Sequence, residues 1–391
     1  MGSAFVYDAL RTPFGKIGKG LADVRPDDLG AVVVKELVER NTDLDPATID
    51  EVIFGNANGA GEENRNVARM ATILAGLPLS VPGATVNRLC GSSLEGTIQA
   101  SRAIETGDAN IVVVGGVESM TRSPWIMLKP KTGYPVGDAT VFSSTLGWRM
   151  INPRMPKEFT VGLGETAEQV ADLAGIDRDS QDAFALRSHQ LTAKAWAEGR
   201  FEGEVIAVPD APITIDESMR ADTSLEALAK LRPAFRKENG TVTAGNSSPL
   251  SDGASAVLVG AEGALPTAPL ARIVSRGVAA LEPNLMGIGP VGAANMALKR
   301  AGITWADVDF VEINEAFAAQ VLACMKDWPE LDPGKVNVDG GAIAIGHPLG
   351  ASGGRLISHL ARLLHRKGGG YGVATCCVGV GQGLAVVLEG C

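Results

Sequence analysis

One order of strands and helices runs along the first part of this chain and returns near its end. AFVYDAL (4–10) reads as a strand, DDLGAVVVKELVERN (27–41) as a helix, IDEVIFGN (49–56) as a strand and NRNVARMATILAGL (64–77) as a helix. ATVNRL (84–89) is extended, SLEGTIQASRAIETG (93–107) helical, and NIVVVGGVES (110–119) a buried strand. Later come ARIVSRGVAA (271–280), extended, VGAANMALKRAG (291–302), helical, and VDFVEINEA (308–316), extended. A helix over 320–326, VNVDGG (336–341), a helix over 351–366 and the paired runs GYGVATCCVG and GLAVVLEG complete the second pass. Such alternation predicts an α/β fold, a sheet with helices on its faces, and its return predicts two duplicated halves. Local echoes agree: DLGA (28–31) answers PVGA (290–293), DEVIFG (50–55) answers DFVEIN (309–314), and Val86-Asn87 answers Val336-Asn337.

Between the halves the chain changes character. SPWIMLKPKTGYPVGDATVFSS is loop-like, whereas ETAEQVADLAG and SQDAFALRSHQLTAKAWAEGRF are amphipathic helices. The expected division is a first half over 1–119, an insertion over 120–248, a return to the first half over 249–270 through the strand ASAVLVG (254–260), and a second half over 271–391.

Composition removes several function classes. Aromatic residues are only 5% and the net charge is -10 with scattered Lys and Arg, so neither a base-stacking surface nor a basic stripe for nucleic acid or anionic membrane is present. No apolar run reaches the roughly 18 residues of a spanning helix. The start, MGSAFVYDALRTP, lacks a charged region followed by an apolar one, and five cysteines, an odd number, point to reduced thiols in a cytosolic setting.

Four clusters carry possible chemistry. In VNRLCGSSLEG, Cys90 precedes the small residues that open a helix, and the positive end of that helix would lower its thiol pKa and favour the thiolate. A buried inert cysteine fits the same local context, so this stretch alone leaves both open. In GGAIAIGHPLGASGGR, His347 lies in a glycine-rich loop, a setting for a base beside a thiol, whereas His189, His359 and His365 lie on helices whose solvated faces account for them. GVATCCVGVGQG ends a strand with Cys376 and Cys377, whose side chains must face opposite ways; a strained vicinal disulfide is the competing reading, and zinc is disfavoured by the spacing. EINEAFAAQ ends a strand with Asn314, which taken singly reads as an ordinary helix N-cap. A cysteine nucleophile, a histidine, a second cysteine and amide donors together make an acyl-transfer set.

Taken in order, RTPFGK (11–16), NRLCGSS, GGVESM, TAGNSSPLSDGA (243–254), MGIGP (286–290), NEAFAAQ, GGAIAIGHPLGASGGR and CCVGVGQG resemble the thiolase family, the acetyl-CoA C-acyltransferases. The resemblance implies two mixed α/β halves stacked as five layers, α-β-α-β-α, with a loop domain inserted in the first half. It implies that Cys90 is the acylated nucleophile, that His347 activates it, and that Cys377 is the acid/base acting on the acetyl-CoA methyl carbon. One oxyanion hole would use His347 with a water held by Asn314, the other the backbone N–H groups of Cys90 and Gly379. Positions matching Arg220, Phe235, Ala244, Ser248, Ala316 and Phe317 would line the coenzyme A site, with Leu163 and Met286 near the acyl or pantetheine end. No cofactor or metal is expected, since coenzyme A thioesters are the substrates, and acyl-CoA and CoA are the expected small partners. The family also implies a homodimer or homotetramer, and the expected setting is cytoplasmic. AGEENRNVARMATILAGLPLSVPG and STLGWRMINP are most similar to bacterial degradative thiolases of the β-ketoadipyl-CoA and 3-ketoacyl-CoA type, which suggests a role such as β-oxidation of fatty acids. Three positions depart from the family pattern: Ser93 stands where glycine is usual, read here as a cap for the following helix, and Gly162 and Ala227 stand where short-chain members carry His and Ser. The rivals are a ketoacyl or hydroxymethylglutaryl synthase and a non-catalytic acyl-CoA carrier; the second cysteine and its VGVG turn favour the thiolase.

Overall fold

The computed structural model describes residues 2–391; Met1, at the start of the first expected half, lies outside them. In chain order the strands of the first part are β1 (Ala4–Arg11), β2 (Gly15–Lys16), β3 (Glu51–Gly55), β4 (Gly83–Val86), β5 (Ile111–Ser119), β6 (Trp125–Met127), β7 (Val141–Ser143) and β8 (Ser251–Ala261). Those of the second are β9 (Ala271–Ala280), β10 (Val308–Ile313), β11 (Tyr371–Val378) and β12 (Gln382–Gly390). The helices are α1 (Pro26–Arg40), α2 (Val67–Leu74), α3 (Ser92–Thr106), α4 (Leu163–Ala174), α5 (Arg178–Ala197), α6 (Leu225–Ala229), α7 (Gly289–Ala301), α8 (Ala318–Lys326), α9 (Ala342–Ile345) and α10 (Leu349–Lys367).

The strand order demonstrates the duplication. In the first half the order is β4-β3-β5-β8-β1; in the second, Val336 bridges β10 in parallel and the order continues β10-β11-β12-β9. Each half thus runs third, second, fourth, fifth, first in its own chain order, with the outer pairs parallel and the pairs next to the first strand antiparallel. The two halves share one continuous sheet. β1 and β9 pair antiparallel through Ala4↔Ile273, Phe5↔Arg272 and Val6↔Ala271, which joins the halves into one 10-stranded sheet.

Five layers follow from which residues each strand face buries. Val112 and Val114 of β5 and Val386 and Leu388 of β12 pack with Leu94 and Ile98 of α3 and Leu356 and Leu360 of α10 in a central core. Val113 faces the other way, onto Val33 and Leu37 of α1 and Ala71 of α2. Val387 likewise faces Ala294 and Leu298 of α7 and Val321 of α8. Strands buried on both faces need apolar residues at successive positions, which is why IVVV and AVVL read as continuous runs. The middle helices cross closely because α10 has no side chain at the crossing: a Cβ on Gly353 would stand 2.2 Å from the Leu94 nitrogen.

One helix is shorter than its sequence pattern, and one loop holds more structure than its pattern suggests. α2 starts only at Val67 because Asn64 and Arg65 take φ of 49° and 66°, after which the Asn66 side chain accepts from Arg69 N at 3.4 Å. The insertion read as loop carries a small hairpin, β6 with β7.

A buried ionic cluster ties the insertion to both halves. Arg11 of β1 donates from Nε to Glu204 at 2.8 Å and through Nη1 and Nη2 to Asp216 at 2.6 and 3.0 Å. Glu204 also meets His359 Nδ1 of α10 at 2.7 Å, and His359 Nε2 faces Asp339 at 3.3 Å. His359 is therefore completely buried, not on a solvated helix face, whereas His365 is exposed as expected. Burial alone would lower the His359 pKa, but the carboxylates of Glu204 and Asp339 outweigh it and raise it to about 9.

Candidate active site

Cys90 sits in a short 3-10 turn, Leu89–Gly91, between β4 and α3, and this turn packs against β11 and α10. Leu89 holds φ of 46°, a conformation costly for a non-glycine residue. Side chains clamp it: Asn87 Oδ1 accepts from Leu89 N at 2.9 Å, while Ser92 Oγ accepts from Arg88 N at 2.9 Å and donates to Leu89 O at 2.6 Å. Ser93 does not cap α3, whose N-cap is Gly91 with no side-chain bond. It accepts instead from Gly354 N at 2.9 Å, linking α3 to α10.

The sulfur's surroundings reverse the expected pKa shift. Cys90 is 6% exposed, and burial, assisted by neighbouring Cys377, pushes its thiol up to about 12. The backbone N–H groups of Gly379 and of Cys90 itself pull the other way without overcoming it. Burial penalises a bare thiolate more than one helix end rewards it, so Cys90 rests as a thiol.

His347 is set by the turn that opens α10. Its backbone N donates to Ser251 Oγ at 3.2 Å, its Nδ1 meets Ser352 Oγ at 2.6 Å and its Nε2 meets Asn314 Nδ2 at 3.3 Å. Ser352 Oγ spends its own proton on Pro348 O at 3.0 Å. That network assigns the proton to Nδ1 and makes Nε2 the basic position, which accepts from Asn314 Nδ2 in the resting site. Burial depresses the imidazole to about 4, so it is neutral at physiological pH. Asn314 is not a helix cap, since α8 is preceded by Phe317 as its N-cap. Its backbone N donates to Thr375 O at 3.0 Å, which holds it beside the end of β11. The next residue, Glu315, is fully buried and accepts from Ser188 Oγ at 2.6 Å, Asn337 Nδ2 at 2.7 Å and Ile343 N at 3.1 Å.

Cys376 and Cys377 face opposite ways. Cys376 lies in the central core, with its sulfur 3.6 Å from Cys90 O, while Cys377 packs with Met286, Ala316, Phe317 and Leu163. All five cysteines are free, so the vicinal disulfide is not formed. The turn after β11 carries Val380 at φ 64°, a strained position for a β-branched residue, directly after the Gly379 N–H that points at Cys90.

Cys90 lines one of two cavities, and the other holds two of the residues expected to bind coenzyme A. The larger, of ≈ 380 Å³, has Cys90, Leu89 and Gly379 on one side and the segment from Ser144 to Arg149 on the other. The smaller, of ≈ 80 Å³, is lined by Arg220, Ala244 and Ser247 together with Lys16, Ser218 and His189. Of the positions expected to hold coenzyme A, Arg220 and Ala244 line this second cavity. Ser248 bonds Ala316 O through its Oγ at 3.1 Å, and Phe235, half exposed, meets Phe317 edge to face at 6.2 Å. Leu163 borders the larger cavity as well as the Cys377 cluster.

Residues 4–263 match the family described as thiolase, N-terminal domain, and residues 267–390 match thiolase, C-terminal domain. The chain belongs to the thiolase family. It is similar to the 3-oxoadipyl-CoA/3-oxo-5,6-dehydrosuberyl-CoA thiolase of Escherichia coli (strain K12), 48% identical with 100% of both chains covered. A β-ketoadipyl-CoA thiolase of Acinetobacter baylyi is 46% identical, again over 100% of both. The crystal structure of human mitochondrial 3-ketoacyl-CoA thiolase in complex with CoA superposes with a TM-score of 0.93, at 39% identity, covering 100% of this chain and 98% of that one. This thiolase is thus an acyltransferase that carries out CoA-dependent thiolytic cleavage of a 3-ketoacyl-CoA.

The duplication puts the thiolase's chemical groups at matching places in the two halves. Gly55 pairs with Gly116 where Ile313 pairs with Thr375, so Asn56 corresponds to Asn314 and Glu118 to Cys377. Counted back from the first residues of α3 and α10, Cys90 corresponds to His347. Glu118 is a site residue that our sequence reading passed over, although a carboxylate closing the apolar strand IVVVGGVES was a usable signal. It lines the larger cavity and accepts from Ala57 N at 2.9 Å, Asn58 N at 3.1 Å and Gly350 N at 2.9 Å, fastening α10 to the first half. Burial raises its carboxyl to about 7 against those three donors. His189 was also misread: it is buried, lines the Arg220 cavity, accepts from Arg220 N at 3.2 Å through Nδ1, and is depressed to about 4 by burial and by the Arg220 charge.

Proposed function

We propose that this thiolase cleaves a 3-ketoacyl-CoA whose acyl chain ends in a carboxylate, 3-oxoadipyl-CoA, giving acetyl-CoA and succinyl-CoA. The substrate class is that named for the Escherichia coli and Acinetobacter baylyi relatives. The observation that carries the mechanism is the Cys90 thiol on the cavity wall, faced by the Gly379 N–H and neighboured by Cys377.

Cys90 gives its proton to His347 Nε2 as its sulfur attacks the C3 ketone. Two neutral groups exchange a proton only as charge builds on the attacked carbonyl, so no exposed thiolate waits in the resting enzyme. The N–H groups of Cys90 and Gly379 take up the tetrahedral oxyanion. As the C2–C3 bond breaks, the C2 carbanion takes the Cys377 proton and leaves as acetyl-CoA, while Asn314 and His347 stabilise its enolate oxygen. Free CoA passes its thiol proton to Cys377 and attacks the acyl-Cys90; the Cys90 thiolate leaves and recovers its proton from His347. Coenzyme A is received by the second cavity, with Arg220 and Ala244, and by Ser248, Phe235, Ala316, Phe317, Met286 and Leu163, the last of which borders the larger cavity. Every step uses thiols, imidazole and amide donors, so this reading calls for no metal or prosthetic group.

With 3-oxoadipyl-CoA and no free CoA, a burst of acetyl-CoA and the mass of one succinyl group on the Cys90 peptide are expected. Added CoA should clear the label, and initial rates should follow a ping-pong pattern. A label on another residue, or intersecting kinetics with no covalent intermediate, would overturn the mechanism.

The assembly proposed is a homodimer or homotetramer. Strand β4 is a sheet edge beside exposed Ile73, Leu74 and Leu79, and the β6–β7 hairpin exposes Trp125, Met127 and Tyr134. Light scattering should return twice or four times the 40.5 kDa chain mass, and a monomer at micromolar concentration would refute it. Five free cysteines suit a reducing compartment, in keeping with a cytoplasmic location. No helix among the described residues is long and apolar enough to cross a membrane.

A further inference from the structure

The larger cavity has an apolar sleeve and one cation. Leu146, Trp148, Leu163 and Val380 contribute apolar walls, and Arg149 lines the same space. Among the described residues the Arg149 side chain makes neither an ion pair nor a hydrogen bond to a protein group. An arginine beside apolar walls with no protein partner has its donors free for a ligand, and a planar guanidinium matches a carboxylate in shape and charge. The coenzyme side has cations of its own, since Arg220 and Lys16 line the other cavity. Glu118, the one carboxylate on the larger cavity, is already held by three backbone N–H groups and leaves Arg149 unpaired.

Resting on the reading that the substrate's acyl chain is itself anionic, we propose that Arg149 is the specificity residue of the acyl cavity. Its guanidinium receives the terminal carboxylate of the 3-ketoacyl-CoA while Cys90 attacks the ketone at the other end. After cleavage the same contact holds the carboxylate of the succinyl group on Cys90. The rest of its segment is fixed: Trp148 Nε1 donates to Val161 O at 3.1 Å, and Ser144 Oγ accepts from Asn58 Nδ2 at 3.1 Å.

The test compares thiolysis of 3-oxoadipyl-CoA with that of 3-oxohexanoyl-CoA, which has the same length and no charge, in the wild type, Arg149→Met and Arg149→Lys. The wild type should favour 3-oxoadipyl-CoA. Arg149→Met should lose about 10- to 100-fold in kcat/KM on it, the size of one charged hydrogen-bonding contact. The rate on 3-oxohexanoyl-CoA and the KM for CoA should be unchanged, and Arg149→Lys should recover part of the loss. Equal losses on both substrates would make Arg149 structural, and a raised KM for CoA would assign it to the coenzyme; either result overturns the proposal. If the wild type prefers 3-oxoadipyl-CoA and Arg149→Met retains that preference, Arg149 is excluded while the substrate reading stands. If the wild type prefers the neutral chain, the substrate reading fails and this proposal with it.

Discussion

Thiolysis should fall to background in Cys90→Ala, whereas Cys377→Ala should lose about 10²- to 10⁴-fold in the carbon–carbon step and still take an acyl group onto Cys90. The two cysteines are neighbours in space but have different tasks in the proposed mechanism. There Cys90 makes the covalent bond, so its loss should abolish turnover. Cys377 moves a proton at the carbon of acetyl-CoA, and a simple acyl-CoA can load Cys90 without that proton because a CoA thiolate is a tolerable leaving group. Acylation by acetyl-CoA, read by mass, and thiolysis, read by product formation, therefore separate the two roles. Loss of acylation in a folded Cys377→Ala enzyme would mean that the second cysteine serves the first, and the assigned division would be wrong.

The second large effect is on stability. Glu204→Ala should cost roughly 3–5 kcal/mol, because it leaves His359 Nδ1 without its acceptor and takes one of Arg11's two carboxylates from a fully buried site. The surroundings have no alternative acceptor of equal quality: Arg11 still has Asp216, but His359 Nδ1 has only Glu204. The same cluster predicts a pH dependence. His359, raised to about 9, binds its proton more tightly folded than unfolded, so its contribution is complete below about 6.5 and is lost as pH rises through about 9. Glu204 works at the other end. Burial would raise its carboxyl, yet the charges of His359 and Arg11 hold it well below the usual carboxylate range, so its contribution is present above that range and fades as acid protonates it. Thermal unfolding from pH 6 to pH 10 should show a falling midpoint in the wild type and a flatter profile in Glu204→Ala. A variant as stable as the wild type at pH 7 would show that the cluster contributes nothing net.

What the sequence could and could not disclose follows from the range of each interaction. The strands and helices of both halves were legible because burial on two faces writes itself into local runs such as IVVV, and because the chain repeats its own order. Cys90, His347, Cys377 and Asn314 were legible as a set, through motifs, although Cys90 and Asn314 were undecided singly. The β1–β9 joint was not, since it rests on three backbone pairings with no side-chain signature. The ionic cluster was hidden because Arg11 and Asp216 are 205 positions apart, and because His359 sits on a helix that looks solvated until the insertion covers it. The Cys90 thiol misled for a related reason: the helix end is local and visible, whereas the burial that outweighs it comes from the assembled halves. Ser93 likewise looked like a local cap and is a long-range link to Gly354.

The matching positions of Cys90 and His347, and of Glu118 and Cys377, have a consequence for robustness. Duplicated parts usually offer insurance, one copy covering damage to the other. Here, on the proposed roles, the copies have diverged so that each holds what its twin lacks: a nucleophile against a base, a fixed carboxylate against a mobile proton. The scaffold is doubled, but in the proposed mechanism each chemical group occurs once, so neither half can carry the reaction alone.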